Sequence, residues 1–112
     1  MRSLLLWLLE DLYRLLDPGR AQLEGLRRGI LRARGRHAHH QAGARDAAAR
    51  IPSLQRRVRA LEMAPDTPLD ALVVARRELM TAEGDVAHHR TRAGQAEALL
   101  TLMREDRAAL VA

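Results

Sequence analysis

Five histidines stand in two clusters, His37, His39 and His40 in one and His88 and His89 in the other. Imidazole changes charge near neutral pH and is a common ligand for borderline metal ions. His37 and His40 are three residues apart, a spacing that puts them on one helix face. With His89 brought beside them, three imidazoles could hold Zn²⁺ or Ni²⁺. No Asp or Glu of the same face supplies a fourth ligand or orients the rings. The expectation is therefore no metal and no cofactor. The histidines fill space beside alanine, face solvent partway, and add pH sensitivity near neutrality.

Other chemistry finds little support. The chain has no Cys, which removes disulfides, thiolate metal sites and thiol nucleophiles. It has no Ser-His-Asp arrangement, no Gly-rich phosphate loop and no Glu-x-x-His pair. No catalytic residue is assigned, and the chain is read as a non-enzyme. All 19 basic residues are Arg, and the net charge is +5. Residues 1–60 carry 13 Arg against 5 acids, and residues 61–112 carry 6 Arg against 9 acids. Arginines such as Arg27, Arg28, Arg56 and Arg57 could meet nucleic-acid or lipid phosphates. Aromatics for base stacking make only 2 % of the chain, so nucleic acid is not the expected partner. A basic half answered by an acidic half is the reading preferred.

The elements that must position these residues are helices. At 112 residues the chain is one domain by length, and Ala, Leu and Arg dominate it. Few β-branched or aromatic residues remain to clothe a sheet. Leu23, Leu26, Ile30, Ala33, His37, His40, Ala44, Ala47, Ile51, Leu54, Val58 and Leu61 recur at alternating steps of three and four. Leu72, Ala75, Leu79, Ala82, Val86, His89, Ala93, Ala96, Leu100 and Met103 do the same. Such spacing lays an apolar seam along each helix, and seams bury themselves by pairing.

The fold expected is all-α: a short amphipathic helix over 2–16, then a long antiparallel coiled-coil hairpin. Its helices cover 19–64 and 68–110, in a single helical domain. Ala64-Pro65-Asp66-Thr67-Pro68 makes the tip, with Asp66 or Thr67 capping the second helix. Asp17-Pro18-Gly19 ends the short helix. Folding at the tip pairs Leu61 with Leu72, Val58 with Ala75 and Leu54 with Leu79, and sets His40 opposite Ala93 and His89 opposite Ala44. Leu54, Val58, Leu61, Leu72, Leu79 and Val86 form the strong part of the seam. Its middle is weak, rich in Ala and in Gly35, Gly43, Gly84 and Gly94. Pro52 predicts a kink near residue 52, with a full break as the alternative.

The short helix carries the main functional clue. Leu4, Leu5, Leu8, Leu9, Leu12, Leu15 and Leu16 make a wide apolar arc, with Ser3, Glu10, Asp11, Arg14 and Asp17 opposite. The apolar run is too short to span a bilayer and lacks the cleavage site of a signal peptide. A helix of this kind can lie in a membrane interface through Leu4, Leu5, Leu8, Leu12 and Leu15. Residues 1–17 set Arg2 and Arg14 against Glu10, Asp11 and Asp17, a net charge of −1, which gives anionic lipid no electrostatic hold. The other reading packs this helix on the hairpin or on another copy of the chain.

The layout resembles the phage-shock-protein A and plastid vesicle-inducing protein family, bacterial relatives of ESCRT-III. Asp17-Pro18 occupies the step between that family's amphipathic helix and its hairpin, and Asp70-Ala71-Leu72-Val73-Val74-Ala75-Arg76-Arg77 stands at its tip. The chain departs from the pattern in Pro52 and in lacking the Gly-Arg-Glu before the tip Asp. The resemblance implies membrane contact by residues 2–16 and a role in envelope stress. The function expected is thus a peripheral membrane-associated coiled-coil protein, cytoplasmic or on the inner membrane surface. The alternative is a cytosolic helical adaptor. Partners are a membrane surface or partner helices, with homo-oligomers expected.

Overall fold

The computed structural model describes residues 2–111; the side chains of Arg2, Ser3, Tyr13, Arg14, Leu15 and Leu16 lie outside the description. Three helices account for nearly all of it: α1 (Arg2–Leu16), α2 (Pro18–Met63) and α3 (Leu69–Val111). Helices α2 and α3 pack against each other as an all-α hairpin. No strand occurs among the described residues.

Local chemistry sets the ends. Asp17 alone separates α1 from α2. Its Oδ1 accepts the Arg20 backbone N–H at 3.2 Å, and its carbonyl accepts the Ala21 N–H at 3.1 Å. Asp17 is thus the N-cap of α2, and Pro18 takes the first helical position, where its missing N–H costs nothing. The long helix therefore begins at Pro18, one residue before expectation, and Gly19 is its second residue and not part of a turn. At the tip, α2 closes with the Ala64 N–H on the Ala60 carbonyl. Helix α3 then opens on the Pro68 carbonyl, which accepts from Ala71 at 3.1 Å and Leu72 at 3.4 Å. Among the described residues neither Asp66 nor Thr67 caps α3 through its side chain. Pro68 sits just outside the helix, and Asp70 supplies the acidic residue that the positive helix start favours.

Helix α2 runs through Pro52 without a break. A proline there deprives the Ala48 carbonyl of its partner and costs about 3 kcal/mol. Ser53, directly after the proline, turns its hydroxyl back onto the Arg50 carbonyl at 3.1 Å. Seam contacts on either side hold the helix: Ile51 and Leu54 are half-buried and Val58 is buried.

The chain divides into two compact units, one of Met1–Gly35 with Ala96–Ala112 and one of Arg36–Gln95. In the first, Ile30, Ala33 and Leu100 form a small core, with Leu99 and Met103 packed on it. Gly29 lets Met103 approach, because a Cβ there would lie 3.1 Å from the methionine methyl. In the second, Ala47, Val58, Ala75, Ala82 and Val86 are buried. Leu54, Leu61, Leu72 and Leu79 are half-buried beside them. Register in this unit is constant: Arg57 meets Glu78 at 3.5 Å, and seven residues away on each helix Arg50 meets Asp85 at 3.6 Å.

Candidate functional site

Two features stand out, one in each unit. The first is α1. Leu4, Leu5, Leu6, Trp7, Leu8, Leu9 and Leu12 are between 56 % and 63 % exposed, as they would be on an isolated helix. The side chain of Leu15 lies outside the described residues. Buried apolar side chains are the rule in a monomer, and a contiguous run of exposed leucines marks a surface that meets something apolar. Glu10 reaches Arg28 of α2 at 3.5 Å, with both side chains about half exposed or more. On the helical wheel Glu10 lies opposite Leu4, Leu8 and Leu12. The one link to α2 among the described side chains of α1 thus lies away from the Leu4, Leu8 and Leu12 side.

The second feature is the histidine cluster of the other unit. The Nδ1 atoms of His40 on α2 and His89 on α3 stand 2.9 Å apart, a direct hydrogen bond in which one Nδ1–H donates to the other's lone pair. His39 lies edge-on to His40, ring centres 5.1 Å apart, and His88 lies edge-on to His89 at 5.4 Å. The register expected from the sequence set His40 and His89 about a turn apart, opposite Ala93 and Ala44; their rings lean along the seam and meet. Gly43 explains how. The His89 ring lies on it so closely that a Cβ would come within 2.7 to 2.8 Å of three ring atoms. His37 is half-buried on the same face of α2. Sequence reasoning grouped it with His40 and His89, whereas the neighbours with rings against that pair are His39 and His88. Adjacent residues on a helix point about 100° apart, so neither looked like a partner; the signal was the His-His pair repeated on both helices.

His40 binds its proton less readily than a free histidine. Desolvation at the seam is the largest cause, followed by the positive charge of His39, His89, His88 and Arg92. Among the described residues, no three His, Asp or Glu side chains are placed to hold a metal ion. An open groove in the same unit is floored by Leu54, Val74 and Ala82. Its two hydroxyls, Ser53 and Thr81, donate to the carbonyls of Arg50 and Arg77, so both are engaged by the backbone.

No protein-family model, curated protein or solved structure matches the chain. No helix among the described residues is long and apolar enough to cross a membrane.

Proposed function

We propose that the chain is a non-enzymatic, peripheral membrane-surface protein that lays α1 in the lipid interface. The observation that carries this reading is the exposure of every described leucine of α1, with Glu10 tying the opposite face to Arg28. Moving a leucine side chain from water to an apolar setting is worth roughly 1.5–3 kcal/mol when complete. Several leucines together reach useful affinity even at partial depth. The net charge of −1 over residues 1–17 makes hydrophobic contact the main force. α1 itself should therefore bind neutral vesicles, and any added affinity for anionic vesicles, lost as salt rises, would come from residues 18–60, which hold 11 Arg against 2 acids. A role in envelope stress, as in the family that the layout resembles, is the finer form of the proposal.

Co-sedimentation with vesicles of neutral and anionic composition tests it. Leu8→Glu and Leu5→Glu should each weaken partitioning by roughly ten- to a hundredfold, since about 1.4 kcal/mol is a factor of ten. Helix content should stay unchanged, because both side chains are exposed. Wild-type binding by these variants, or by a chain lacking residues 1–17, would end the membrane reading.

A second reading has its own observation. Leu69, Val73 and Met80 are exposed along one side of α3, which an adaptor would cover by pairing with a second copy of the chain.

A further inference from the structure

We propose that the His40–His89 bridge is a proton-operated latch between α2 and α3, closed while its two rings share at least one free lone pair and open once both are protonated. This stands independently of the membrane reading, since it concerns only residues of the Arg36–Gln95 unit.

The chemistry follows from the contact atoms. With both rings neutral, one carries its proton on Nδ1 and donates it to the bare Nδ1 of the other, 2.9 Å away. A first added proton goes to the Nε2 of the donor ring and leaves the bridge in place. A second has only the accepting Nδ1 left to bind. Two N–H groups would then face each other across the same gap, and two cations would be held in contact, so the rings must part.

The surroundings sharpen the effect. From α2 the pair is faced by His39, with His37 on the same helix face, and from α3 by His88 and Arg92. The positive charge of His39, His88 and Arg92 opposes a proton on His40, and no carboxylate is among the charges acting on it. Asp85, one turn before His89 on α3, is paired with Arg50 at 3.6 Å. Gly43 fixes the place of the ring, since only a residue without a Cβ leaves room for His89 there. The apolar material nearby is Ala44, Ala47 and Ala93, with Val86 one turn before His89 as the single larger side chain, so the helices are held there mainly by small residues once the bridge is gone. Opening would therefore be local, in the part of the seam where packing is thinnest.

The sign is fixed by linkage. The folded His40 takes its proton at a lower pH than the unfolded chain, whose ordinary value is 6.5. Above that value both forms are neutral there and the contribution to stability is complete. As the pH falls below it the unfolded chain binds protons first, and the contribution is lost down through the lowered folded value.

The test uses the full chain with a chelator present. Thermal midpoints by circular dichroism are measured between pH 8 and 5 for wild type, His40→Gln and His89→Gln. In parallel, ¹⁵N spectra follow the imidazoles of the wild-type protein over the same range. The expected result is a wild-type midpoint that is flat above pH 7 and falls by several degrees below 6.5, with a clearly smaller fall in both variants. In the spectra, one ring of the pair should resist protonation until contacts between α2 and α3 at this point weaken. Equal pH dependence in wild type and variants would overturn the latch. So would spectra showing both rings fully protonated with the cross-helix contacts intact, a readout that holds even if a variant fails to fold.

Discussion

At the scale of the residue, glycine shows how two identical side chains can have opposite worth. Nothing lies within 4 Å of the place where a Cβ would stand on Gly84 or Gly94. Both are exposed inside α3, where glycine costs about 1 kcal/mol relative to alanine. Gly84→Ala and Gly94→Ala should each raise stability by up to about 1 kcal/mol, read from urea unfolding. Gly43→Ala should instead lower it, because the new methyl group would collide with the His89 ring. A stabilising Gly43→Ala would show that the ring does not sit as described. The sequence marked all of these as weak points of the seam, without sign. Spacing reveals which face a residue occupies, but which side chain leans over it depends on rotamers of the opposite helix. The same limit applies to His40 and His89: spacing brought them to within a turn of each other, each opposite an alanine, and the reach of the imidazoles closes the remaining gap to direct contact.

At the scale of the element, helix ends were legible because their signals are local. Asp17 and Pro18 specify one end and the start of another within two residues. The cap of α3 was misassigned for a related reason: Asp66 and Thr67 have the right side chains, but the Pro68 carbonyl already receives the first bonds. Pro52 is the case in which a strong local signal lost. The expectation was a helix kinked near residue 52, with a full break as the alternative, and the helix does continue, since breaking it would shift Leu54, Val58 and Leu61 out of the seam on which they are buried or half-buried. If the proline is tolerated and not required, Pro52→Ala should stabilise the protein by up to about 3 kcal/mol, measured by chemical unfolding. Pro52 is exposed, so no packing is lost in exchange. An unchanged or lower stability would mean that the proline shapes α2 in a way the seam depends on.

At the scale of the whole molecule, the alternation of three and four along both long segments was enough for the helical hairpin, because only paired helices satisfy two such seams. The function was less accessible. An amphipathic leucine helix is written the same way whether it packs at home or elsewhere. The core is thin: among the described residues, five of the nine buried hydrophobics, Ala33, Ala47, Ala75, Ala82 and Ala96, are alanines, and no large side chain is fully buried. The ion pairs add little, since all are well exposed and such pairs are worth about 0–1 kcal/mol each. On the adaptor reading, a second copy would cover the exposed Leu69, Val73 and Met80. Sedimentation equilibrium should show association at micromolar concentrations, weakened in Val73→Glu or Met80→Glu. A strict monomer throughout would leave the hairpin to stand alone.

Asp17 carries a mechanical consequence. It is the one residue outside helical structure between α1 and α2, and the following proline ring holds its own φ nearly fixed. Asp17 is in turn confined to extended backbone because it precedes a proline. The bearing of α1 on α2 thus rests on very few soft torsions, and α1 behaves as a lever on a stiff pivot. Leu4 lies about 18 Å along the helix from Leu16 at about 1.5 Å per residue, so a turn of about 30° at the pivot sweeps it through roughly 9 Å. Small torsional changes at one capped aspartate would carry the leucine arc from one height to another as a rigid piece. On the membrane reading proposed above, a surface presented in this way would reach the lipid already ordered, with little conformational freedom left to be lost on contact.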